Sequence, residues 1–263
     1  MARFSSGATV LLAAMSACEP KVVAGEWDCP AQAPDAAAPS DNAPFPLPWS
    51  TGFETRFCDY AKPAAFCYTG TEHLGSIEIV TSPVHSGRYA AAFQVESDSE
   101  SGSQARCVRQ GVMPNAAYYG AWYYVPALVS TNMKLWNLWH FQGGDVPPAQ
   151  EHGLCDVSLV NGTDGDLELI VYDFLKGVVR RPATATSIPI GAWFHIELYL
   201  KRAADATGEL ALYQDGKQLF DATNIVTDDA MFDQWYVGNL VDVGLPTPDF
   251  TVYVDDVTIS ASQ

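Results

Sequence analysis

The chain is poor in positive charge. Its 263 residues carry 14 Lys and Arg against 31 Asp and Glu, a formal net charge of −17 at pH 7. Such a field repels phosphate at long range, which argues against nucleic acid and an anionic membrane surface as partners. A polyanionic substrate is less firmly excluded, because screening confines the field to roughly 8 Å at physiological salt and a local Arg cluster can dominate inside it. No apolar run near the start is long enough to cross a bilayer: residues 10–17 fall far short of the ~20 that a span needs. The six cysteines form no C-x-x-C pair, which speaks against a zinc site. Sustained helical periodicity is missing too, and residues 227–232 are the one place where a helical turn fits. What is abundant is apolar and aromatic surface, 48% and 12% of residues, ample for one all-β domain with a core.

Residues 1–18 combine a short n-region carrying one Arg, the apolar run and then Cys18, which reads as an export signal. The ending Met15-Ser-Ala-Cys18 resembles the lipobox of bacterial lipoproteins, with Met15 where Leu is usual. That resemblance implies acylation of Cys18, membrane contact only through this anchor, and a place on the bacterial outer membrane or cell surface, or otherwise secretion. Residues 19–48 hold seven Pro and seven Ala with no apolar periodicity, the composition of a semi-extended linker. In an exported chain disulfides persist. Cys58 and Cys67 are close enough to staple a local loop, Cys107 and Cys155 each lie in strand-like sequence and could bridge strands or sheets, and Cys29 is left over.

From residue 49 onward short alternating runs are separated by turn residues, as in an antiparallel β-domain. The expected strands are 51–55, 76–81, 88–96, 105–112, 118–125, 134–142, 154–160, 166–174, 193–201, 209–214, 218–222, 234–240 and 250–259. Asp215-Gly216 supplies the positive φ angles of a type I′ hairpin turn. In the aromatic stretch 134–144, alternation puts Trp136, Leu138, His140 and Gln142 on one side and Asn137, Trp139 and Phe141 on the other. The run 193–200 alternates most cleanly, with Phe194, Ile196, Leu198 and Leu200 toward a core and Trp193, His195, Glu197 and Tyr199 outward or into a groove. This pattern suggests an all-β, two-sheet antiparallel jelly-roll sandwich.

Three landmarks resemble the concanavalin A-like jelly roll of polysaccharide lyases and laminarinase-type glucanases. They are the aromatic pair 118–126 and 136–143, the pair 188–200 and 208–216 with its "G-x-W … D-G" spelling, and the end Val252-Tyr-Val-Asp-Asp-Val-Thr-Ile259. In such lyases one strand carries Gln and His two residues apart, a neighbouring strand an Arg and a late strand a Tyr. The resemblance implies that His140 and Gln142, in reversed order, Arg106 or Arg109, and Tyr236 form a catalytic set; Leu240 stands where the late Tyr is expected. Arg106 and Arg109 are three apart, so only one can face a cleft. Trp122, Trp136, Trp193, Asn137 and Glu197 are the candidate sugar-binding residues. A glucanase would instead need two carboxylates about 5 Å apart. Glu96-Ser-Asp-Ser-Glu100 has that family's spelling but reads as a solvated turn.

The alternation slips at Asp255-Asp256, which implies a β-bulge that re-aims a carboxylate. Jelly-roll carbohydrate-binding modules resemble the chain at Gly52-Phe-Glu54, His85-Ser-Gly-Arg-Tyr89 and this acidic pair, and imply a structural Ca²⁺ held by Glu54 and Asp256. The leading expectation is an exported, monomeric, lipid-anchored domain that binds polysaccharide in an aromatic groove. The alternatives are a β-eliminating lyase acting on a uronate-containing glycan and a surface structural or adhesion module.

Overall fold

The computed structural model describes residue 29 and residues 46–60, 65–69, 75–96, 102–131, 136–144, 152–228, 232–241 and 250–263. The expected signal segment, Cys18, most of the linker, and Asp98 and Glu100 of the acidic turn lie outside these residues. The described residues form two antiparallel sheets and no α-helix.

One sheet runs in the order β13 (Lys217–Ile225), β12 (Gly208–Gln214), β11 (Trp193–Lys201), β6 (Ala116–Tyr124), β15 (Phe250–Ser260), β4 (Ala90–Val95), β3 (Ser76–Val80), with β1 (Trp49–Thr51) also on β15. The other runs β10 (Val178–Arg180), β9 (Leu167–Asp173), β8 (His152–Asn161), β7 (Trp136–Gly144), β14 (Phe232–Val241), β5 (Ser103–Gly111), β2 (Ala65–Thr69). The order crosses repeatedly between distant parts of the chain, which makes this a jelly-roll sandwich. Alternation decides the layers: Phe194, Ile196, Leu198 and Leu200 of β11 and Tyr119, Ala121 and Tyr123 of β6 are buried between the sheets, where they meet Trp139, Phe141 and Trp235. Trp235 stands edge-on to Tyr119 at 5.0 Å and to Trp139 at 5.3 Å, the arrangement that aromatic quadrupoles favour. The β12–β13 hairpin turns through Asp215 (φ 51°) and Gly216 (φ 74°), both left-handed as a type I′ turn demands.

Several expectations need correction. The strand expected at 51–55 stops at Thr51, because the chain turns through left-handed Phe53 (φ 57°) and Arg56 (φ 62°) into a 3-10 turn at Cys58–Tyr60. Two strands, β2 and β10, were not expected at all. Thr227 and Asp228 are not helical, and β14 has already begun at Phe232. The disulfides join Cys29 to Cys58 and Cys67 to Cys107. Cys67 and Cys107 are direct partners in the β2–β5 ladder, whereas Cys155 is a buried free thiol pushed up by desolvation. Proximity in sequence was the wrong guide, since ladder register sets which thiols meet.

Candidate functional site

Successive strands of the seven-stranded sheet place Phe66, Val108, Tyr236, His140, Asp156 and Tyr172 directly opposite one another. Lateral partners in a ladder point to the same side, so all six share the outer face of that sheet. Tyr236 and His140 meet ring to ring at 5.2 Å, edge-on. His140 Nδ1 lies 2.5 Å from Asp156 Oδ1, with both side chains mostly covered. A carboxylate on Nδ1 fixes the tautomer in which Nδ1 carries the proton and Nε2 keeps its lone pair. The Arg106 guanidinium sits 5.4 Å from the Tyr236 ring centroid and donates to Asn137 Oδ1 at 3.3 Å. On the other side of the row the Tyr236 hydroxyl reaches Gln142 Oε1 at 3.1 Å and touches Gln234, which in turn donates to Gln110. His140, Gln142, Arg106 and Tyr236 are therefore assembled around one point of the sheet. Leu240 pairs with Asn137 and takes no part in this contact.

The grouping depends on an irregularity that strict alternation does not anticipate. Both ladders of β7 shift register around Leu138, against β8 between Asn137 and Trp139 and against β14 between Val237 and Leu240. The extra residue flips the pleat, so that Asn137 joins His140 outside while Trp136 turns inward. Trp136, expected beside His140, is 1% exposed and packs edge-on to Phe250 of the other sheet. Backbone groups released by the shift are satisfied from the core: the Tyr123 hydroxyl lies 3.2 Å from Leu138 O and 3.3 Å from Gly238 O, and accepts Gly238 N–H at 3.2 Å. Asn239, fully buried, accepts from Trp136 Nε1 and donates to Phe93 O and Phe250 O of the opposite sheet.

The other candidates stand elsewhere. Arg109 turns away from the row; its guanidinium lies 4.5 Å from the Trp49 ring centroid and donates to Asp59 O, and burial lowers its pKa to about 10. Trp122, Trp193 and Glu197 lie on the outer face of the eight-stranded sheet, across the sandwich from His140. Trp122 is stacked on His85 at 3.7 Å and has His195 at 5.2 Å, so imidazoles already occupy its surroundings. Burial raises the Glu197 carboxyl and lowers His195.

The slip at the acidic pair is a bulge: β15 shifts register against β6 between Asp255 and Thr258, and Asp256 has φ 45°. Asp255 accepts the N–H groups of His85, Ser86 and Asp256, yet desolvation outweighs these bonds and raises its pKa to about 6. Asp256 takes the Ser86 hydroxyl and His85 Nδ1, and Glu54 Oε1 accepts Arg88 and Tyr89 N–H. A Cβ at Gly87 would come within 2.3 Å of Glu54 Oε1, and one at Gly52 within 3.1 Å of Asp256 Oδ1, so each acid packs closely over a glycine.

Sequence reasoning missed Asp156 and Phe174. Asp156 sits in a strand whose outward positions carry no spelling that marks a histidine partner. Phe174 follows β9 on the outward parity of Tyr172, and its ring stands 5.8 Å from that of His140, perpendicular to it.

No protein-family model matches the chain, and no curated protein matches it by sequence. Solved structures do match. The endo-β-1,4-glucuronan lyase of the fungus Trichoderma reesei superposes with a TM-score of 0.57 at 18% identity, covering 74% of this chain and 90% of that one. The cellulose-induced protein Cip1 gives 0.55 at 12% identity over 81% and 97%. The PL-14 alginate lyase of Aplysia kurodai gives 0.50 at 14% identity over 80% and 97%. At these identities the likeness concerns architecture, and the chain has the concanavalin A-like jelly-roll fold of these polysaccharide lyases and Cip1.

Proposed function

We propose that the domain is a polysaccharide lyase that cleaves a uronate-containing glycan by β-elimination. The observation that carries this reading is the convergence of His140, Tyr236, Arg106, Asn137 and Gln142 on one outer face, with Asp156 behind the histidine. Solved lyases acting on glucuronan and alginate share the fold. Elimination needs a base for the C5 proton, an acid for the C4 oxygen and groups that neutralise the carboxylate so that the neighbouring proton becomes acidic. His140 Nε2 takes the proton, and Asp156 steadies the imidazolium that results. Arg106 and the amides of Asn137 and Gln142 hold the carboxylate, on which charge builds as the C5–H bond breaks. The electron pair forms the C4–C5 double bond, the C4–O bond breaks, and the Tyr236 hydroxyl protonates the departing oxygen. Arg106 supplies locally the positive potential that the net charge of −17 denies the chain as a whole.

The test is incubation with glucuronan, alginate and neutral β-glucans, following ultraviolet absorbance from unsaturated ends and retention on immobilised glycan. Absorbance with a uronate polymer supports the lyase. Retention without it returns the domain to a glycan-binding role, and neither signal leaves a structural or adhesion module.

The same reading carries two further parts. A Ca²⁺ held by Glu54 and Asp256 would tie the start of the domain to the loop at 85–88 and to β15, where these acids already accept from Ser86, Arg88 and Tyr89; carboxylate oxygens are the ligands that a hard cation takes. Calcium is expected to raise the melting temperature by several degrees and EDTA to reverse the gain; identical curves would remove the ion. The two disulfides support export, since they belong to an oxidising compartment, and the lipid anchor rests on the Met15-Ser-Ala-Cys18 spelling alone. Cys18→Ala should move the protein from the membrane fraction to the soluble one, and an unchanged distribution would count against the anchor.

A further inference from the structure

We infer that Phe174 is the stacking floor of a sugar subsite beside the reacting residue, taking the apolar face of the pyranose that neighbours the sugar at His140 on the side away from the scissile bond. The inference rests on the lyase reading and adds a binding position to it. Phe174 is 41% exposed and is the one exposed aromatic among the residues whose side chains are described. A single exposed ring is ordinary on a protein surface, and only its surroundings can give it a role.

Its position supplies one. β8 shifts register against β7 between Phe141 and Gln142, so that Gln142 faces Gly153. The Phe174 ring lies on that glycine: a Cβ at 153 would meet its carbons at 2.9 Å. The floor therefore continues the Gln110–Gln234–Gln142 row and touches His140 and, at 4.6 Å, Tyr172. The ring is also held in place. Phe174 N–H donates to Leu154 O, Asp173 accepts Lys176 N–H, and Arg180 grips Asp173 through Nε and Nη2. A pre-positioned ring spends little entropy on binding.

The chemistry around the floor indicates an acidic sugar. Lys176, Arg180 and Arg181 place three of the chain's 14 basic residues within six positions, beginning two residues after Phe174; Arg180 is paired with Asp173, and Lys176 and Arg181 are exposed. A uronate stacked on Phe174 would bring its carboxylate within range of this edge, whereas a neutral glucan would gain nothing from it.

The experiment compares wild type, Phe174→Ala and Phe174→Tyr on β-1,4-linked glucuronate oligosaccharides from trisaccharide to octasaccharide. With Phe174→Ala, kcat/KM is expected to fall about tenfold for oligomers long enough to reach the subsite, mainly through KM, and to stay near wild type for the shortest one cleaved. Phe174→Tyr keeps the ring and should keep the length dependence. An equal loss at every length, or none, overturns the subsite while leaving the lyase standing. Wild type that neither binds nor cleaves any of these oligomers overturns both.

Discussion

His140→Ala is expected to lower the rate of unsaturated-end formation by about 10²- to 10⁴-fold, the range for loss of a positioned acid or base, with the fold intact. His140 lies on the outer face with its side chain 18% exposed, so its removal opens no cavity between the sheets. Tyr236→Phe should fall in the same range, because it deletes one hydroxyl and keeps the ring that packs against Tyr68 and His140. Asp156→Asn tests the geometry separately. An amide can donate to Nδ1 as well as accept from it, which allows the wrong tautomer, so kcat should drop while KM changes little. Circular dichroism confirms folding for each variant. Full activity in His140→Ala would remove the imidazole from the chemistry and with it the proposed mechanism.

Asn239→Leu is expected to cost about 3 kcal/mol or more of stability, read as a lower urea midpoint at unchanged slope. The side chain is fully buried and its amide is used at both ends, accepting from Trp136 and donating to two carbonyls of the opposite sheet. Leucine has similar volume, so the loss isolates the three partners left without a bond rather than a void. That is a large share of the ~5–15 kcal/mol that holds a typical domain together. A midpoint within error of wild type would mean that water or a relaxed backbone replaces these bonds. The same variant should weaken catalysis, since Asn239 steadies the segment where β7 and β14 lose register and Asn137 turns outward.

Much of the architecture was legible because alternation has a short period and a clear cause. β11 begins and ends where the pattern 193–201 says, and the left-handed Asp215-Gly216 turn follows from two residues. β2 and β10 escaped notice since one is only five residues long and the other is a three-residue edge strand, mostly exposed. The site was legible in part. His140, Gln142 and Tyr236 meet as one cluster although Leu240 occupies the position where the tyrosine was sought. Trp136 was misplaced because one additional residue at Leu138 reverses the pleat, and nothing in Trp-Asn-Leu-Trp announces it. Trp122, Trp193 and Glu197 stand apart from the row for a different reason. Alternation says that a side chain points away from the core, but a sandwich has two outer faces, and only strand order says which one.

The bond between Cys29 and Cys58 closes a covalent ring that contains residues 30–57. A protease cutting the Pro-rich stretch inside that ring would nick the chain without shedding the domain, which would hang on by its sulfurs until a thiol reductant arrived. Any pull transmitted from residues before 29 bypasses the stretch and enters at Cys58, beside Asp59, whose carboxylate takes the hydroxyls of Thr51 and Thr55. Mechanical load is thus delivered to the entrance of the sandwich, and the Pro-rich part of the ring bears none of it.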